Sequence, residues 1–300
     1  MKIQYIYTII GFFFLCLKFE SSLKENQYEN YISYHEKIRQ ALVSLKDSLN
    51  HNKAVDEFNE AFEMVEKPWG IDVFDALQAA IQANRKTEMF TYSRILVTKS
   101  CDSLFFEQER LKALKTYPNE WQSLMEFIKK VHQNPSEYWN IELRERIITI
   151  RKKDPELGKN PIYNNDSIKD KYGAWILSPE YYENVRLPFI KIIKEHGLQS
   201  ELTLGLTIQD DTLLTCGTCS EIIILHLYQS AYNIFSADEL ENFEKKGLLS
   251  PAFVSQLKSF QMGNRLSYPH ICEMIELNAP EDSILHHTRM LYIKKRYKKQ

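Results

Sequence analysis

The stretch AVDEFNEAFEMVEKPWG, residues 54–70, decides how the first half of the chain is read. If the segment is helical, Ala54, Phe58, Ala61 and Phe62 share one face, because side chains three and four positions apart stack along an α-helix. That face mixes small residues with aromatics, so a neighbouring helix can come close at the alanines while the rings fill the space beside them. Pro68-Trp69-Gly70 then breaks the pattern, since proline lacks the N–H that a helix interior needs.

The same spacing extends to either side. Ile38, Leu42, Leu45 and Leu49 form an apolar stripe upstream, and Leu124, Phe127, Ile128 and Val131 form another downstream. Asn52, Asn84-Arg85-Lys86, Pro118-Asn119 and Asn134-Pro135-Ser136 punctuate residues 28–153 at intervals suited to helix hairpins, with Ser136 expected as an N-cap. Strand signals are scarce. Only nine glycines and ten prolines in 300 residues suit long helices joined by short turns, and 44% hydrophobic with 26% charged residues is a globular balance. A net charge of −2 gives no general attraction to nucleic acid.

The Ala-x-x-x-Phe-x-x-Ala spacing of residues 54–61 resembles the second helix of a tetratricopeptide repeat. FDALQAAIQANRKTEMFTYSRIL, residues 74–96, resembles the next helix–turn–helix, with Phe90 and Leu96 facing inward, and residues 101–124 resemble an array ending packed by Trp121. The resemblance implies stacked helix pairs with a groove for a peptide or extended partner segment. The expected fold class is therefore mostly α, with an N-terminal tetratricopeptide-like helical-hairpin array over 28–134. A compact helical domain is expected over 135–278.

The two ends are read separately. Lys2 precedes IQYIYTIIGFFFLCL, an apolar run short for a bilayer span, so residues 1–22 are expected to be an export signal or an N-terminal anchor. Export to the periplasm or cell envelope follows, with membrane attachment through this segment as a possibility. The tail at 279–300 ends in RMLYIKKRYKKQ, basic without an acidic residue from Arg289 onward, which reads as a solvated charged end.

In the second domain, Gly197 is expected to stop a helix containing Ile192, Ile193 and His196. Residues 202–208 are expected to be irregular or extended. Ser236 with Glu239 three residues later has the form of a capping box, and Ser250-Pro251 should open a further helix. Glu142-Leu143 through Asp154, Glu195-His196-Gly197, Gly205, the helix carrying His226, KKGLLSPAFVSQLKSF and Tyr268 together resemble the uncharacterised bacterial domain-of-unknown-function family 6624. Pro155, Lys258-Ser259 and Pro269 depart from that family's pattern, and if the family's polar residues there carry chemistry, the resemblance implies that this copy has lost it.

The chemistry-bearing stretch is TCGTCSEIIILH, residues 215–226. Cys219 and His226 lie two helical turns apart on one face, and Cys216 would sit near the helix start, where the dipole favours a thiolate. Cys216, Cys219 and His226 form a geometrically possible metal half-site, with His270 and Cys272 as candidates to complete four ligands, although the spacing is not a recognised zinc pattern. Cys216 and Cys219 could also pair as a disulfide or work as a redox couple, but packing is the preferred reading for both. His226, amid IIILHLY, is expected to be a core residue satisfied by one hydrogen bond. Asp210-Asp211 and residues 164–166 read as solvated turns. No cofactor is expected. The expected role is recognition of a protein or peptide partner, the alternative being a hydrolytic or metal-dependent enzyme centred on His226 with Asp154 or the cysteines.

Overall fold

The computed structural model describes residues 31–46, 50–158, 181–209, 212–213, 219–229 and 232–267. The described chain is mostly helical. The leader-like run, Asp210-Asp211, residues 164–166 and the basic tail lie outside these residues, and no described helix is long and apolar enough to cross a membrane.

Helix α1 spans residues 31–46, followed by α2 (His51–Phe62), α3 (Gly70–Gln82) and α4 (Lys86–Thr98). A short α5 (Ser103–Phe106) and a 3-10 segment, Glu109–Thr116, lead into α6 (Pro118–Gln133). Helix α2 packs on α3, α3 on α4 and α4 on α6. The face read from residues 54–70 is the buried one: Ala54, Phe58 and Ala61 are fully enclosed, and the rings of Phe62 and Tyr92 meet edge to face with centroids 5.6 Å apart. Asn84 takes the left-handed conformation, φ 53°, that turns α3 into α4. Helix α1 is tied down by Tyr34, whose hydroxyl donates to Asp72 Oδ2 at 2.6 Å and accepts the Trp69 N–H at 2.9 Å.

Helix starts differ from expectation at two places. Helix α2 begins at His51, ahead of Asn52, with Asn50 in the N-cap position. Ser136 lies inside a 3-10 turn, Pro135–Glu137, and caps nothing; Asn140 instead accepts the Leu143 N–H at 3.0 Å and starts α7 (Ile141–Gly158). The delay has a packing cause. Trp139 must first enter the core, where its indole donates to the Thr98 carbonyl at 2.7 Å, and only then can the chain wind into a helix.

A second core gathers around α7, the Tyr182–Arg186 π-type turn with α8 (Leu187–His196), α10 (Cys219–Gln229), α11 (Ala237–Lys245) and α12 (Pro251–Ser267). Ile147, Val185, Phe189, Ile223, Ile224, Leu227, Tyr228 and Leu257 are its buried centre. Gly197, with φ 72°, ends α8 as the sequence requires. Ser236 and Glu239 form both halves of a capping box on α11, and Ser250 Oγ accepts the Phe253 N–H at 3.3 Å at the start of α12.

Residues 201–209 join the two cores, and they are helical at 202–204, where an irregular or extended piece was expected. Glu201–Leu204 forms one turn, α9, and Ile208–Gln209 (β1) pairs antiparallel with Thr212–Leu213 (β2) in the register Ile208 to Leu213. Leu206 belongs to the first core, and its N–H donates to the Lys99 carbonyl at 2.7 Å. The Arg144 guanidinium on α7 donates to the carbonyls of Leu204 and Leu206. Gly70 makes this approach possible, since a Cβ there would stand 2.6 Å from the Leu206 methyls.

Candidate functional site

Asp154 and His226 stand 72 positions apart, on α7 and α10, and the packing of those helices brings them into contact. His226 Nδ1 lies 2.7 Å from Asp154 Oδ1. The same carboxylate accepts the Tyr181 hydroxyl at 2.7 Å on Oδ1 and the Arg151 guanidinium at 2.9 Å on Oδ2. Arg151 reaches it from one turn earlier on α7, the spacing at which helical neighbours meet. Asp154 is enclosed, its side chain 1% exposed, whereas the imidazole it holds is 40% exposed.

Electrostatics follow from this asymmetry. Burial pushes the Asp154 carboxyl up, but the hydrogen bond and charge of His226, the Tyr181 hydroxyl and the Arg151 guanidinium together outweigh it and hold the carboxyl below its ordinary value. An ionised Asp154 can only accept, so the proton between the pair belongs to His226 Nδ1. In the neutral imidazole the lone pair is then on Nε2, which has no partner among the described residues. A buried carboxylate fixing the tautomer of a half-exposed imidazole is an arrangement able to take a proton from water or a hydroxyl and return it.

The single hydrogen bond expected for His226 is present, but its setting is corrected. His226 is not a core residue: α10 turns Ile223, Ile224 and Leu227 inward and leaves the imidazole at the margin. Cys219 lies at the start of α10, with its side chain outside the described atoms, and Cys216, His270 and Cys272 lie outside the described residues. Among the described residues, no three His, Cys, Asp or Glu side chains converge as a metal site requires. Cys101 is a free, buried thiol whose pKa is pushed well up, chiefly by desolvation.

A second site escaped the sequence reading. A cavity of about 450 Å³ opens beside the first core, lined by residues that include Phe62, Ile95, Lys99, Tyr138, Trp139 and Glu201. Its lining includes a buried ion pair, Lys99 Nζ to Glu201 Oε1 at 3.1 Å, with side chains 8% and 1% exposed. Glu201 Oε1 also accepts the Gly70 N–H at 2.5 Å. The partners are 102 positions apart, and nothing in the local text of either one signals the other.

Compared with known proteins, the chain matches no family model, no curated protein and no solved structure.

Proposed function

We propose that the second half of the chain performs acid–base chemistry of a hydrolytic kind, with His226 moving the proton and Asp154 positioning it. One observation carries this reading: the 2.7 Å contact between a buried carboxylate and the Nδ1 of a half-exposed imidazole. His226 Nε2 would take a proton from an attacking water as it bonds to the substrate and deliver it to the departing group. Tyr181 and Arg151 hold the carboxylate so that neither its charge nor its direction drifts. The test is a hydrolysis screen of the full chain with nitrophenyl esters, phosphates and glycosides. His226→Gln and Asp154→Asn should each lower kcat/KM for the class that is turned over by about 10²- to 10⁴-fold. Turnover indifferent to both substitutions, or no turnover of any class, would contradict the reading.

A second reading, ligand recognition by the first half, is favoured by the cavity beside the buried Lys99–Glu201 pair. The burial of Ala54, Phe58 and Ala61 supports a tetratricopeptide-like packing of that half, and export rests on the apolar run of residues 1–22. The likeness of the second half to the uncharacterised family rests on its sequence alone.

A further inference from the structure

We infer that the cavity binds a free α-amino acid with an apolar side chain, taking its carboxylate on Lys99 and its ammonium on Glu201. The inference rests on the recognition reading and names its ligand class. Lys99 Nζ has three N–H donors, and Glu201 Oε1 is its one hydrogen-bond partner among the described residues. Glu201 spends Oε1 on both Lys99 and Gly70, and Oε2 has no partner among them. Both side chains are more than nine-tenths buried and both line the cavity. Ionised groups in such a place call for further hydrogen bonds to offset the water they have lost.

Glu66, Lys67 and Glu137 also line the cavity but are exposed, so the buried charges select the ligand. An isolated anion would satisfy Lys99 but meet the spare oxygen of Glu201; an isolated cation would reverse the mismatch. A molecule carrying ammonium and carboxylate on neighbouring atoms answers both at once. Phe62, Ile95, Tyr138 and Trp139 supply apolar and aromatic wall for a side chain. The indole N–H of Trp139 is committed to the Thr98 carbonyl, which leaves its ring as a contact surface. About 450 Å³ lies within the range of small-molecule sites.

Titration calorimetry on the full chain tests this with L-phenylalanine and L-leucine, their N-acetyl derivatives and their carboxamides. The parent amino acids should bind, and capping either end should weaken binding by about tenfold or more, the effect of losing one charge-assisted hydrogen bond. Ile95→Trp, which puts a larger ring into the cavity from α4, should abolish parent binding while circular dichroism stays that of the parent protein. Capped forms binding as tightly as the parents would overturn the amino-acid inference and leave recognition by the cavity standing. No binding by any of the six compounds would overturn both.

Discussion

At the level of single residues, Asp154 contributes to the acid behaviour. Its carboxyl is held below the ordinary 3.8, so its stabilising effect is complete above that pH and is lost as pH falls through the lowered value. Asp154→Asn should therefore reduce stability at neutral pH and flatten the acid limb below pH 3.8, measured by urea unfolding at a series of pH values. Gly70 offers an independent check. Gly70→Ala places a methyl 2.6 Å from Leu206, and overpacking of this kind costs about 1–3 kcal/mol, readable as a lower urea midpoint. Of the residues at the candidate site, His226 stood out as a chemically versatile side chain and Asp154 as the end of the stretch from Glu142 that carries the family resemblance. Tyr181 and Arg151 did not: a tyrosine 27 positions along the chain from Asp154 and one arginine in a charged helix carry no local mark of a shared partner.

Among the elements, α1 and α3 carry a half-buried histidine and a buried aspartate whose titrations oppose each other. Asp72 is pushed up to about 7, chiefly by burial, with Glu201 adding to the shift and the Tyr34 hydrogen bond resisting it. Stability from this group falls as pH rises from 3.8 towards 7, because the folded state holds the proton longer than the unfolded one. His35 is pushed down to about 4 by burial, so its effect has the other sign: stability rises with pH between about 4 and 6.5. Asp72→Asn keeps an acceptor for Tyr34 and removes the falling contribution. Its stability relative to the parent should thus climb across pH 4–7, and a parallel pair of curves in urea would contradict the assignment. On α11, Ser236→Ala removes one arm of the capping box and should cost about 1 kcal/mol. Helices were the most legible part of the sequence, since apolar spacing and caps are written locally: Ala54, Phe58 and Ala61, Gly197, Ser236 and Ser250 all act where the text places them. Ser136 failed as a cap because the demand to bury Trp139, a tertiary one, overrode the local preference.

Over the whole molecule, the two cores are joined through residues 201–206, whose contacts reach Gly70 and Lys99 on one side and Arg144 on the other. This junction was illegible in the sequence because its partners are 60 to 131 positions apart and its pairing is one ion pair with hydrogen bonds to backbone groups, which leaves no periodicity. Lys99→Met leaves the Glu201 carboxylate buried without its counter-charge and should cost about 3–5 kcal/mol, whereas adding Glu201→Gln should recover part of that loss. Thermal unfolding of the two single variants and the double variant measures the coupling. Additive losses would show that the pair does not act as a unit.

The proton-transfer account rests on which ring nitrogen of His226 carries hydrogen while the imidazole is neutral, and nitrogen-15 NMR of the histidine-labelled full chain reads this directly, with His226→Gln supplying the assignment. The account predicts the Nδ1–H tautomer, with Nδ1 bonded to Asp154 and Nε2 bearing the lone pair. A neutral His226 protonated on Nε2 would have no base to offer at its free edge, and would contradict it.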